Sequence, residues 1–240
     1  MAPATSSPFP GAGRFVPATA DLARLENAAR HCEGCDLYRD ATATVFGRGP
    51  AGAAIMLVGE QPGDREDRTG EPFVGPAGHL LDRALAEAGI DRDSSYLTNA
   101  VKHFRFKSTA SGKRRIHAKP AAGHVAACRP WLVAELAAVQ PRIVVALGAT
   151  AAASLLGSAF RLNAQRGRML DWPPPAGPFA GDPAGMSGPG RAGDRVEHAL
   201  ATVHPSAVLR ADDRSRSAAF GDLVADLRVV GEWLAANRAG

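Results

Sequence analysis

Cysteine and lysine are scarce in this chain, three and four residues respectively out of 240, and no long apolar run occurs in it. Three thiols cannot pair off evenly, so a disulfide framework is excluded; they are free, catalytic or metal-bound. No stretch approaches the roughly 18 to 20 apolar residues of a membrane helix, so no membrane partner is expected. The opening MAPATSSPFPGAGRFVPATA has no basic segment followed by an apolar one. It reads as a flexible tail over 1–19 and not as an export signal, and the expected location is the cytoplasm. The remainder is ordinary for a soluble globule: 45% hydrophobic, 22% charged, mean hydropathy −0.11. Length alone predicts one or at most two domains. A single domain over 20–236, as a monomer, is the expectation.

Acid is missing from one region. Between Asp93 and Glu135 there is no carboxylate, while Lys102, Arg105, Lys107, Lys113, Arg114, Arg115, Lys119 and Arg129 supply eight cations, including every lysine of the protein. The net charge is +4, so this block of +8 leaves −4 for the rest of the chain. A solvated face normally mixes both signs; a block of one sign points to a polyanion surface, with nucleic acid the first candidate.

No internal repeat is evident. DLARLENAARH, 21–31, carries Leu22, Leu25 and Ala28 at helical spacing before a CEGC turn. AAIMLVGE, 53–60, is a continuous apolar run of the kind that forms a strand buried on both faces. A polar loop, 61–75, precedes a helix over about 78–89, and SSYLTNAV, 94–101, is a second strand followed by the basic segment as a loop. A helix over about 121–138, a third strand at 142–148, a small-residue helix, a fourth strand at 199–205 and a closing amphipathic helix follow. Residues 172–193 are rich in Pro and Gly and read as an insertion. Alternation of strands and helices predicts an α/β fold: a three-layer α/β/α sandwich around a mostly parallel four-stranded sheet. In such sheets ligands bind at the carboxyl ends of the strands. The polar ends Gly59-Glu60-Gln61-Pro62-Gly63, Asn99-Ala100-Val101-Lys102 and His204-Pro205-Ser206 are expected to share one cleft.

GEQPGDRED with GEPFVGPAGHLLDRAL, then YLTNAVKHF, KRRIH, ACRPWL and ATVHPS, together resemble the uracil-DNA glycosylase superfamily, in particular the UdgX branch related to the family 4 iron-sulfur enzymes. The resemblance runs in consistent order from about Ala28 to Leu234, apart from 172–193. It implies excision of uracil from DNA, single-stranded DNA preferred, followed by covalent capture of the sugar.

Residue by residue, the resemblance meets independent chemistry. Cys32-x-x-Cys35 by itself fits metal binding, thiol redox or chance; a redox pair should follow a strand, and this one follows a helix. The family implies a [4Fe-4S] cluster on four cysteines, of which Cys128 matches the last and His103 stands where the third would be. That makes Cys32, Cys35, His103 and Cys128 the implied ligands, a set that also describes a structural zinc site. Breaking the C1′–N1 bond leaves positive charge on the sugar and negative charge on the base. Glu60 is matched to the acid that stabilises the first, and His204 to the donor that stabilises the second. Asn99, offering a donor and an acceptor to O4 and N3–H, is the implied base reader, with Phe73 stacking on the base and Gln61 lining the pocket. The nucleotide must be extruded or already single-stranded. In the KRRIH segment, Lys113, Arg114 and Lys119 are expected to track phosphates and Arg115 to fix the loop. His117 is implied to attack C1′, since neighbouring cations favour its neutral, nucleophilic form. A water-using, multiple-turnover glycosylase is one rival reading. A metal-stapled DNA-binding module without chemistry is another, which would bind DNA irrespective of uracil and with strong salt dependence.

Overall fold

The computed structural model describes residues 8–109, 114–173, 178–179 and 195–237. In chain order the elements are α1 (Leu22–Ala29), β1 (Ile55–Gly59), α2 (Asp64–Thr69), α3 (Pro76–Glu87), β2 (Tyr96–Asn99), β3 (Phe106–Ser108), β4 (Arg115–His117), α4 (Ala122–Val139), β5 (Ile143–Leu147), α5 (Ala149–Leu156), α6 (Leu162–Gln165), β6 (Leu170–Asp171), β7 (His198–Thr202), α7 (Pro205–Arg210) and α8 (Asp213–Ala236).

Strands β2, β1, β5 and β7 lie side by side and parallel, in register Met56 to Tyr96, Met56 to Val144 and Val144 to Ala199. Every residue of β1, β2 and β5 is buried, as expected of a parallel sheet covered on both faces. Met56, Val58, Val144 and Ala146 face α4 and α5; Ile55, Leu57, Val145 and Leu147 face α3 and α8. The three-layer sandwich and the four parallel strands are thus as the sequence pattern predicts. A fifth, two-residue strand, β6, adds antiparallel to the β7 edge just before the Pro/Gly-rich stretch. Most of that stretch lies outside the described residues; its Trp172 and Phe179 rings pack 5.0 Å apart against the core.

Three expectations are corrected. First, the basic segment is not simply a loop: β3 and β4 pair antiparallel, with Phe106 opposite His117 and Ser108 opposite Arg115. Second, the chain from Pro8 onward is not a free tail. Ala12 is fully buried and its N–H donates to the Ala127 carbonyl at 2.7 Å, Gly11 N–H donates to the Gly34 carbonyl at 2.9 Å, and Phe9 stacks on His124. A Cβ at residue 34 would lie 2.7 Å from the Ala12 nitrogen, so only glycine allows the approach. Third, the cation block is not wholly unopposed, because Lys102 is buried. Its Nζ donates to Glu135 Oε2 at 2.5 Å, Thr98 Oγ1 at 2.6 Å and the Asn99 carbonyl at 2.8 Å. Glu135 Oε1 accepts from the Thr98 hydroxyl, the Tyr96 hydroxyl and the Gly47 N–H. A charge removed from water is tolerated when its partners are all supplied, and here both ions are fully hydrogen-bonded. The network anchors the carboxyl end of β2, where Asn99 sits.

Candidate active site

The carboxyl ends of β1, β2, β5 and β7 open on one cleft of about 640 Å³, which brings together Glu60, Gln61, Phe73, Asn99, His117, Lys119 and His204. The third strand end contributes as well, through Gly148 and Thr150, a pairing that the sequence reading did not include.

Glu60 follows the buried β1 directly, so its carboxylate emerges at the sheet edge. The Thr150 hydroxyl donates to its Oε2, and its Oε1 lies 3.6 Å from His117 Nε2. Asn99 ends β2, side by side with Gly59, and its side-chain amide makes no hydrogen bond among the described residues. A Cβ on Gly59 would fall 2.3 Å from Asn99 Oδ1 and 2.8 Å from Phe73 Cζ. Glycine here is what lets the amide and the ring approach the floor. Phe73 adopts a left-handed backbone, φ 57°, and its ring stands 6.4 Å from that of His204 with planes inclined by 26°. Left-handed backbone at an aromatic residue is costly and persists only where surrounding structure imposes it. Glu66, which sequence reading missed, ties the turns on either side of Phe73: its buried carboxylate accepts the Gly63 N–H at 3.1 Å and the Gly75 N–H at 2.8 Å. The one available signal was a glutamate three residues past Gly63, at the third position of α2, where a side chain can reach back to the helix start.

His204 caps α7. Its Nδ1 accepts the Ser206 N–H at 3.1 Å, so the proton of the neutral ring is on Nε2, which is left as a donor toward the cleft. Burial, with Arg210 and His117 nearby, pushes its pKa down to about 4, which keeps that donor neutral at ordinary pH.

Gln61 lines the cleft, as expected, and also holds the hairpin. Its Oε1 accepts the Arg105 N–H at 3.1 Å, and its Nε2 faces the Arg105 carbonyl at 3.1 Å, the Ala118 carbonyl at 3.2 Å and His117 Nε2 at 2.9 Å. Two carbonyls and one N–H fix which way the amide points. Gln61 Nε2 has two hydrogens for three neighbouring acceptors, and its contact with His117 Nε2 is compatible with the tautomer in which that nitrogen carries the lone pair and Nδ1 the proton. Burial lowers the His117 pKa; Glu60 pulls it up and Arg210 pulls it down.

The hairpin bearing His117 is held by Arg115. Its Nε donates to Asp64 Oδ1 at 2.5 Å, its Nη1 to Asp67 Oδ2 at 2.6 Å and to Thr42, while the guanidinium lies over the rings of Phe104 and Phe106. Burial works against the charge, but Asp67 and Asp64 outweigh it and raise the pKa. Arg115 thus fixes the hairpin against protein. Arg114 is exposed near the turn, Lys119 is at the cleft, and Lys113 lies outside the described residues.

Cys32, Cys35 and Cys128 meet in one buried cluster with Trp131 and Phe46, and the Lys102 N–H donates to Cys128 Sγ at 3.3 Å. Burial pushes the Cys128 thiol up to about 12 and also raises Cys35, each sulfur being electrostatically opposed by its neighbours. His103 shares a cavity wall with Cys32, is held neutral by burial with a pKa of about 4, and hydrogen-bonds through Nε2 to Thr44 Oγ1 at 2.9 Å. In kind, three soft thiols and a neutral imidazole fit a thiophilic metal group. Among the described residues no three of these donors are drawn together to ligating distance.

Residues 46–228 match the family described as the uracil DNA glycosylase superfamily. A type-4 uracil-DNA glycosylase of Pyrobaculum aerophilum is 35% identical over 191 residues, covering 79% of this chain and 85% of the relative. One of Thermotoga maritima is 37% identical over 149 residues, 62% of this chain and 73% of the relative. A type-5 uracil-DNA glycosylase of Pyrobaculum aerophilum is 36% identical over 115 residues, 42% of this chain and 46% of the relative.

Proposed function

The chain belongs to the uracil-DNA glycosylase superfamily, and from that premise we propose that it excises uracil from DNA and then captures the sugar on His117, as in the UdgX branch. The uracil nucleotide enters from a single strand or an opened duplex, since a stacked base cannot reach the sheet edge. The Asn99 amide reads the base edge and Phe73 covers its face. As the C1′–N1 bond breaks, the electron pair leaves with uracil, and the Nε2–H of His204 donates to the developing oxyanion, a pre-aimed dipole in a partly dry cleft. The Glu60 carboxylate stabilises the sugar cation. His117 Nε2 then gives its lone pair to C1′; the alkylated ring releases its Nδ1 proton to water, and the departed uracilate takes a proton from solvent. An N-alkylimidazole is a poor leaving group, so the adduct persists and the protein acts once.

The observation that carries this reading is the placement of His117 Nε2 3.6 Å from the Glu60 carboxylate, in the cleft that also holds Asn99 and His204. Lys119, Arg114 and Lys113 are proposed to contact phosphates. Cys32, Cys35, Cys128 and His103 are proposed to hold a [4Fe-4S] cluster, with zinc the alternative. Such a group would supply structural cross-linking, joining the segment after α1 to α4 and to the chain leaving β2. Visible absorbance and metal analysis of the purified protein separate the two.

The test is incubation with a uracil-containing oligonucleotide and a denaturing gel. A heat-stable shifted band, stoichiometric with protein, is expected, and His117→Ser is expected to abolish it while leaving uracil release. Abasic product in excess over wild-type protein favours the water-using glycosylase to which the type-4 similarity also points. Binding without any uracil release favours a DNA-binding module.

A further inference from the structure

A second depression adjoins the base cleft and shares Lys119, Ala149 and Thr150 with it. It lies between α4 and α5, with Val125, Ala126, Leu132 and Ala153 forming its apolar surface. Its volume is about 500 Å³, within the range of about 300–1,000 Å³ of pockets that hold small molecules. Ala126 and Ala153 are both exposed there, a shallow apolar wall of small side chains on the surface. No carboxylate lines it among the described residues. Lys119 stands at the shared mouth and its ammonium has no partner among the described residues. Arg129 hems another side, donating to the Pro178 carbonyl and lying 4.7 Å over the Phe179 ring.

We infer that this depression is a subsite for the deoxynucleotide next to the uracil in the same strand, its base lying against the alanine wall and its linking phosphate beside Lys119. The inference rests on the uracil-excision reading. Continuity with the cleft selects the occupant: whatever leaves the base cleft past Lys119 and Thr150 enters this groove. Charge selects it too, since a cation at the mouth and no acid in the lining suit a phosphodiester. The wall of Val125, Ala126, Leu132 and Ala153 offers no donor or acceptor, and of the hydroxyls beside it Thr150 donates to Glu60 and Ser154 to the Ala151 carbonyl, so the subsite would accept a base by its face and read little sequence. It would, however, require that the neighbour be unstacked, which favours single-stranded substrate.

The test measures the half-saturating protein concentration for uracil release on three pentamers: one intact around a central deoxyuridine, one with a tetrahydrofuran abasic residue on its 5′ side and one with it on its 3′ side. Covering one face of a base with apolar side chains withdraws that area from water, so removing the base on one side, and one side only, is expected to raise that concentration roughly 3- to 10-fold. Ala153→Trp fills the groove from α5 and Ala126→Trp from α4, both at exposed positions. Each is expected to weaken the intact pentamer to a similar degree and to erase the distinction between it and the one-sided abasic pentamer. Equal half-saturation on all three pentamers with wild-type protein, or tryptophan variants that keep the wild-type discrimination, overturns the subsite while leaving uracil excision standing. A wild-type protein that releases no uracil from any of them overturns the functional reading and the subsite together.

Discussion

The two walls of the cleft are built on different physics. The sheet-edge wall, carrying Glu60, Asn99 and His204, grows directly out of fully buried strands, and its backing is the Lys102–Glu135 network and the Glu66 clamp. The opposite wall, carrying His117, is a three-residue-per-strand hairpin, fixed by one guanidinium on two aspartates and one glutamine amide on two carbonyls. A short hairpin alone is not stable in water. On the proposed reading, the difference makes bond cleavage and sugar capture separable: the first would depend on a wall built into the sheet, the second on a wall that a few polar contacts hold in place.

The largest effect should come from the rigid wall. Glu60→Gln keeps the shape and the hydrogen bond from Thr150 but removes the negative charge proposed to face the sugar. Loss of one preorganised electrostatic contact to a transition state typically costs about 10²–10³ in rate. Single-turnover uracil release should fall by that order, with adduct falling in step because capture has nothing to capture. An adduct yield that survives while release falls would mean that Glu60 serves the hairpin and not the sugar.

A smaller, selective effect belongs to the held wall. Arg115→Ala removes both aspartate pairs and the cover over Phe104 and Phe106, freeing the hairpin and leaving the sheet edge intact. Adduct formation should slow by about 10–100-fold, the penalty of misplacing a reacting group by an ångström or so. Uracil release should change by less than about threefold, so free abasic DNA should accumulate. Asp67→Asn is expected to reproduce the split in milder form. Equal losses in release and in adduct would make the two walls one unit.

How much of this was legible in the sequence follows the same division. The strands behind the rigid wall were legible because β1 and β5 are continuous apolar runs and polar residues sit at the strand ends. Phe106–Ser108 and Arg115–His117 are too short and too polar to signal strand; cross-strand pairing makes them so. Partners distant in sequence were invisible as well. Lys102 counted as a surface cation, and Arg115, expected to fix the loop, had no visible partner, because nothing local shows Glu135, Asp64 or Asp67 beside them. Gln61 read correctly as a pocket residue, but its hold on the hairpin was hidden because those contacts lie more than forty residues away. The segment from Pro8 looked free for want of periodicity, yet it is held by backbone hydrogen bonds that any sequence able to pass Gly34 can make.

The gentlest way to sharpen the comparison is pH. The proposed attack on C1′ needs neutral His117, whose pKa burial holds below its ordinary value of 6.5. As pH falls through that lowered pKa the neutral fraction falls, so adduct formation declines; above pH 6.5 the ring is already neutral and the rate should be flat. His204, with its pKa at about 4, keeps the same proton throughout that range, so the donor that serves uracil departure does not change. Acidification from pH 7 toward 5 should therefore lower the ratio of adduct to free abasic DNA, measured on one denaturing gel, more than it lowers total uracil released. A half-maximal rate of capture at or above pH 6.5 would mean that the imidazole is not desolvated at the cleft, and that a different nitrogen, or a hairpin in a different position, makes the bond.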